Sequence, residues 1–316
     1  MCDQWEVSSQ PRRARRANAT GDTSPKALVL DRYGDPDVLH LADRPEPRPD
    51  SAAGNLVTVR VHVSGVNPID LGVRAGGVLP DEAERFPMVL GWDGAGTVEA
   101  IGMEVSGLAV GDRVMVLSKQ PSSGIGTHQD VVVLPKAQVV KLPDGVSFER
   151  AAATPFASIT ALNSVEALKL KAGQTIHVNN PGGAVGRAAV QIAKALGLVV
   201  VADPDPASMD GAVDVWGEEK AVAAFATVKD GGAYATTIPE WWKPGGQYET
   251  ARGITPVTIE NSPTEVDLER IVGWLADGAL DPKIETVLPL AEGAKAHAML
   301  AAPGLTHKVL LSHDAQ

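Results

Sequence analysis

The residues best placed to do chemistry are Asn180, Gly182, Gly183, Ala184, Val185 and Gly186, with Asp203 further on. They follow a short β-branched run from Thr175 to Val178 and open a stretch of helical periodicity. A glycine turn between a strand and a helix brings backbone N–H groups and the positive end of the helix dipole to one point. That combination binds phosphate oxygens. At Gly183 and Gly186, one missing side chain lets backbone approach a pyrophosphate and the other lets the helix pack on the strand. Asp203 lies about 20 residues beyond Gly183, the offset at which a carboxylate binds a ribose 2′-hydroxyl. The alternative is a tight turn of the same shape with no ligand.

The elements around these residues are legible. Val185, Ala188, Ala189, Ile192, Ala193 and Leu196 recur on one helical face, and Gly197 stands where a C-cap glycine belongs. Leu198 to Ala202 is a continuous apolar run, as expected of a parallel strand buried on both faces. The whole is a strand–helix–strand unit.

With 316 residues and a formal charge of -11, the chain has room for two domains and is a poor partner for nucleic acid. Its single cysteine, Cys2, excludes a disulfide within the chain and a cysteine-ligated metal site. No apolar run is long enough to span a membrane, which points to a cytoplasmic protein. Residues 1–25, with Arg12, Arg13, Arg15 and Arg16, read as a disordered tail; a paired-arginine export signal lacks the apolar segment that should follow.

From Lys26 onward, short strands alternate with Gly and Pro turns, including a half-buried strand from Leu56 to Val63; this is the texture of an antiparallel, barrel-like domain. Near Ser147 the texture becomes alanine-rich and helical, with a break at Pro155. The strand–helix–strand unit comes next, then shorter elements. Thr264 and Asp267 form a relative of the capping box, ahead of a helix whose apolar face is Val266, Leu268, Ile271, Val272 and Leu275 and which Gly278 closes.

Several stretches carry a family resemblance: GVNPIDLGVRAGG (65–77), FPMVLGWDGAGTVEAIG (86–102), VGDRV (110–114), GGAVGRAAVQIAKALG (182–197), WWKPGGQY (241–248), LPLAEGAKAH (288–297) and KVLLS (308–312). In this order the chain resembles the zinc-independent, quinone oxidoreductase (zeta-crystallin-like) branch of the medium-chain dehydrogenase/reductase superfamily. The resemblance implies an α/β protein with a GroES-like β-barrel domain at 26–148 and 281–316. It also implies a Rossmann domain, a doubly wound parallel sheet, at 149–280. The cofactor would lie in the cleft between them. Zinc-dependent relatives place a cysteine where Asn67 stands and a histidine where Trp92 stands, so no zinc is expected.

The same resemblance implies reduction of a quinone or enone by a nicotinamide cofactor, with candidate site residues Asn67, Asp70, Trp92, His128 and Thr160. Asn67 either donates to a carbonyl or ribose or merely forms a turn with Pro68. Asp70 either caps the following helix or takes part in the chemistry, capping being favoured. Trp92 would form an apolar wall. The Thr160 hydroxyl either faces the nicotinamide or bonds its own helix. His128 is either a solvated loop residue or the best available proton donor. Relatives often form homodimers through the edge of the Rossmann sheet, and the resemblance leaves both a homodimer and other oligomeric states open here.

Three departures from the family pattern matter. Asn180 and Pro181 add bulk at the turn, although Asn180 tolerates left-handed geometry. Asp203 and Asp205 would repel a 2′-phosphate, which favours NAD(H) over NADP(H). The Rossmann half is trimmed. Residues 206–211 are too few for a helix between its strands, and so is PEWWKPGG (239–246), beside which Trp241 and Trp242 cover a bare face or line a pocket. The trimming opens two alternatives to the reductase. One is a redox-neutral cyclase or isomerase working without a cofactor. The other is a non-catalytic small-molecule binding protein. Heavy use of alanine and arginine fits a bacterial source and specialised metabolism.

Overall fold

The computed structural model describes residues 24–44, 54–77, 86–119, 125–238 and 252–314. The first half contributes β1 (Lys26–Leu30), β2 (Leu39–Asp43), β3 (Leu56–Val66), α1 (Pro68–Ala75), β4 (Met88–Val89), β5 (Asp93–Ile101), β6 (Arg113–Leu117), β7 (Val131–Pro135) and β8 (Val139–Lys141). The second contributes α2 (Phe148–Ala152), α3 (Pro155–Ala167), β9 (Thr175–Val178), α4 (Ala184–Ala195), β10 (Val199–Val200), β11 (Met209–Asp214), α5 (Glu218–Thr227), β12 (Val228–Thr236), β13 (Val257–Thr258) and α6 (Glu265–Asp277). The chain closes with β14 (Ile284–Pro289), α7 (Gly293–Ala301) and β15 (Lys308–Ser312).

The first half forms a sheet ordered β14-β15-β3-β5-β6-β8, with β7 also paired to β3, and a smaller sheet ordered β2-β1-β4. The C-terminal strands therefore return to the N-terminal sheet: β15 runs antiparallel to β3, with Val309 opposite Val66 and Ser312 opposite Val63. The strand read as ending at Val63 continues to Val66 and is mostly buried. Its last residues gain β15 as a neighbour, which no local pattern announces.

The second sheet is parallel, ordered β10-β9-β11-β12-β13. A full dinucleotide-binding sheet has the order 3-2-1-4-5-6. Among the described residues no strand lies beyond β10, and no crossover leads to one. The connection from β10 to β11 is only residues 201–208, without a helix, as its length predicted. The run from Leu198 to Ala202 is accordingly not a strand buried on both faces. β10 is two residues long and sits at the sheet edge, and Val199 is 49% exposed. The segments PEWWKPGG, QYET and WWKPGGQY, with Trp241 and Trp242, fall wholly or largely outside the described residues, as does the basic tail.

Helix α3 sits where the two halves meet. It is buried around most of its circumference, from Pro155 through Val165, and its alanines and serines let neighbours approach closely. One hydrophobic cluster runs from Val63, Trp92 and Met115 on the barrel side through Ile159 and Leu162 to Ile176, Val178 and Leu268 on the other. Each fully buried Leu or Ile in it stabilises the fold by about 1.5–3 kcal/mol. The halves thus share a core instead of touching through a polar seam. Helix α6 is capped as its sequence predicts: Asp267 N donates to Thr264 Oγ1 at 3.1 Å and Thr264 N to Asp267 Oδ2 at 3.2 Å. Leu268, Ile271, Val272 and Leu275 are buried, whereas Val266, expected on the same face, is 62% exposed. It lies in the first turn, before the helix reaches the core. No described helix is long and apolar enough to cross a membrane.

Candidate functional site: a cationic cleft beside a buried ion-pair network

The glycine turn is built by one residue in an uncommon conformation. Asn180 has φ 49°, in the left-handed region that asparagine tolerates better than most residues. It reverses the chain after β9 so that α4 begins at Ala184, with Gly183 as N-cap and no side-chain cap. The turn is held by Gly183 N donating to Asn180 O at 3.2 Å. A Cβ at Gly186 would stand 2.1 Å from Asn180 O, so only glycine lets the helix seat this closely on the turn. A Cβ at Gly182 would meet nothing within 4 Å. The turn is open at Gly182 and closed at Gly186, and the first N–H groups of α4, at Ala184 and Val185, carry no side-chain cap.

A shallow pocket opens beside the first turns of α4. α4 lines it with Ala184, Arg187, Ala188 and Gln191, one stripe at helical spacing, and α3 faces it with Ala153's neighbour turn, Ala157 and Ser158. The remaining wall comes from the links into β14 and β15, which supply Lys283 and Lys308. Three cationic side chains line this pocket beside the first turn of α4. Lys308 is paired with the buried Asp93 and Lys283 with Asp281 at 2.6 Å, which leaves the Arg187 guanidinium best placed to meet an anion. Asp203 is exposed at the end of the β10 edge.

Lys308 also belongs to a buried network. Its Nζ lies 2.7 Å from Asp93 Oδ2 and 2.6 Å from Asn67 Oδ1, while Asn67 Nδ2 donates to the same Asp93 Oδ2 at 3.1 Å. The other carboxylate oxygen of Asp93 accepts from Phe156 N, at the start of α3, at 2.7 Å. One charge pair thus joins β15, β5, the turn before α1, and α3. Asn67 is 2% exposed and spends its side chain inside the protein.

Asp70 completes the turn. It accepts from Asn67 N and from Gly91 N, both at 2.9 Å, and so ties the start of α1 to the link between β4 and β5 that carries Trp92. Burial pushes its pKa up to about 7, against the pull of those two N–H donors, and Asp93 nearby adds to the rise.

A second polar knot, which sequence reasoning missed along with Asp93 and Lys308, ties the carboxyl ends of the parallel strands. Asp214 Oδ1 accepts from Asn179 Nδ2, from Trp216 N at 3.0 Å and from Gly217 N at 2.9 Å; Oδ2 accepts from Thr236 Oγ1 at 2.7 Å. This fixes β9, β11 and β12 against one another at the crevice where such sheets bind ligands. A polar residue closing an apolar strand was the only signal available for it.

The remaining candidates separate. The Thr160 hydroxyl donates to Phe156 O at 2.9 Å, the bond to its own helix, and accepts from Asn261 Nδ2 at 2.8 Å. Trp92 packs edge-on against Phe156, ring centroids 5.1 Å apart. It is 9% exposed, and among the described residues nothing accepts from its Nε1. His128 is not a solvated loop residue: it is fully buried, Nε2 lies 3.2 Å from Gly65 O, and its ring meets His297 at 6.1 Å. Chain pairing between Leu28 N and His128 O pulls the loop into the barrel. Burial holds its pKa well below the ordinary histidine value, so the ring is neutral. Among the described residues, no group of three or more His, Cys, Asp or Glu side chains is arranged to hold a metal ion.

The chain matches two family models, the alcohol dehydrogenase GroES-like domain over residues 53–144 and the zinc-binding dehydrogenase domain over residues 187–311. Over 177 residues, 56% of this chain, it is 36% identical to a quinone oxidoreductase of Pseudomonas aeruginosa, of which the match covers 51%. It is 34% identical to a mouse synaptic vesicle membrane protein VAT-1 homolog-like, again over 56% of this chain and over 40% of that protein. The matches therefore span about half the length of these curated relatives or less. A solved quinone oxidoreductase from Pseudomonas syringae superposes with a TM-score of 0.72 at 26% identity, covering 91% of this chain and 99% of its own. The glycine turn on a parallel sheet, the returning C-terminal strands and these matches together establish that the chain belongs to the medium-chain dehydrogenase/reductase superfamily, in its quinone oxidoreductase-like branch.

Proposed function

We propose that this protein is an oxidoreductase that uses a nicotinamide dinucleotide to reduce a quinone or an enone-type unsaturated carbonyl compound. The observation that carries this is the pocket at the uncapped start of α4, whose lining includes Arg187, Lys283 and Lys308. The residues fit the pyrophosphate: Gly182 leaves the turn open, the helix N–H groups are free of side-chain caps, and Arg187 stands on the first turn of the helix. A bound reduced nicotinamide would supply the hydride, and with one proton from solvent this would give the saturated ketone from an enone, protonated at the carbon α to the carbonyl, or the hydroquinone from a quinone.

The chain's own residues hold and orient. Asn67 and Asp93 keep the Lys308 ammonium in place beside the pocket. Asp214 holds the strand ends that form the crevice floor. Asp203, exposed just beyond β10, is assigned here to a ribose hydroxyl, and its charge would disfavour a 2′-phosphate; this supports NAD(H) over NADP(H). The quinone oxidoreductase names of the relatives support the acceptor class. The direct test is loss of nicotinamide absorbance when a benzoquinone or an α,β-unsaturated ketone is added to protein and NADH. Turnover with neither acceptor would sink the proposal.

A second reading has its own observation. Among the described residues, no strand beyond β10 walls the half of the sheet that would hold the adenosine end. A redox-neutral enzyme that works without the dinucleotide accounts for that loss. Turnover of an unsaturated carbonyl compound without any nicotinamide would favour it.

A further inference from the structure

We propose that the indole N–H of Trp92 is the hydrogen-bond donor for the carbonyl oxygen of the acceptor substrate. This deepens the reductase reading and rests on it. A buried indole N–H nearly always finds a partner, and leaving one unpaired costs free energy. Trp92 is 9% exposed, and none of the described groups accepts from Nε1.

The position of this N–H gives it meaning. Trp92 lies between Gly91, whose N–H is held by Asp70, and Asp93, which anchors Phe156 N. Its ring is edge-on to the partly buried Phe156. Phe156 and Thr160 are one turn apart on α3, and the adjacent face of the same helix lines the cationic pocket through Ala157 and Ser158. The unpaired donor therefore belongs to a ring packed on the same helix, α3, that lines the pocket. Asn261 Oδ1 is likewise buried and without a partner among the described residues, and its Nδ2 donates to Phe156 O at 2.9 Å. Two residues in contact with Phe156 thus carry a buried polar atom without a partner among the described residues, one a donor and one an acceptor, as suits a site that binds a small carbonyl compound. A neutral N–H in such a setting stabilises negative charge developing on oxygen without itself changing protonation.

The test compares wild type with Trp92→Phe, which keeps an aromatic ring and removes only the donor. The probe is 4-dimethylaminocinnamaldehyde, a chromophoric enal whose absorption band moves to the red when its carbonyl oxygen accepts a hydrogen bond. The expected result is a red shift in wild type that is lost in Trp92→Phe, with about tenfold weaker probe binding and unchanged NADH affinity. The same shift in both proteins, or no shift in wild type, would overturn the proposal. Failure of wild type to bind NADH would instead count against the reductase reading, so the two failures are distinguishable. Should Trp92→Phe not fold, indole-15N-labelled wild type answers the question. The Trp92 indole resonance, assigned by replacing the other tryptophans singly, must move downfield on adding the probe; a stationary resonance refutes the assignment.

Discussion

Lys308 and Asp93 lie 215 positions apart in sequence and meet as a buried ion pair, with Nζ 2.7 Å from Oδ2. Their side chains are 5% and 0% exposed. A buried pair repays its desolvation only when geometry and further hydrogen bonds are good, and removing one partner strands the other. Lys308→Met is expected to cost about 3–5 kcal/mol of stability and to weaken nicotinamide binding. Lys308→Met with Asp93→Asn should recover much of the stability and none of the binding. Urea unfolding of the three variants, paired with dinucleotide titration, checks both halves.

The glycine turn gives a prediction in which folding and binding part company. Gly182→Val adds a side chain to open space and should leave stability within about 0.5 kcal/mol of wild type, while nicotinamide binding falls sharply. Gly186→Val drives its Cβ into Asn180 O and should destabilise by about 1–3 kcal/mol. Thermal melts with and without NADH distinguish the two. Binding by Gly182→Val at wild-type strength would place the phosphates elsewhere.

Asp70 makes stability depend on pH in an uncommon direction. Its folded pKa of about 7 lies above the ordinary 3.8, so the folded chain binds this proton more tightly than the unfolded one. The contribution is full below the ordinary value and is lost as pH rises toward 7. The stability difference between wild type and Asp70→Asn should therefore shrink by a few kcal/mol from pH 4 to pH 7 and stay flat above. Denaturant unfolding across that range measures it; a difference independent of pH would show that Asp70 titrates normally.

The His128–His297 pair acts in the opposite sense. Burial is the main cause lowering His297 to about 3, with Arg74 adding to it, and neither of its ring nitrogens has a partner among the described residues. An unfolded histidine takes its proton near 6.5, so acidification from there toward 3 drains stability through this residue. His297→Leu should unfold at lower pH than wild type in an acid titration followed by circular dichroism. An unchanged acid midpoint would exclude His297 as a contributor.

These cases show which parts of the molecule a linear reading reaches. The turn at Asn180, the α4 face, the Gly197 C-cap (φ 78°) and the Thr264–Asp267 cap are local, and each is set by residues within a few positions of one another. The resemblance carried the two-sheet plan. The Lys308–Asp93–Asn67 network escaped because its members come from three separate segments, and nothing in KVLLS distinguishes its lysine from an exposed one. His128 escaped because its burial depends on the loop joining β1, a pairing about 100 residues distant in sequence. The edge position of β10 follows from residues the chain lacks, and a continuous apolar run looks the same with or without a neighbouring strand. Asp214 was visible as a residue but not as a junction of three strands.

The most direct test of the account is calorimetric titration of the full chain with NADH and with NADPH. The account predicts micromolar binding of NADH, weaker binding of NADPH, and a gain in NADPH affinity when Asp203 is replaced by serine. Preference of the wild type for NADPH would contradict the role given to Asp203. Binding of neither dinucleotide by the folded protein would contradict the cationic pocket as a cofactor site and leave the redox-neutral reading in its place.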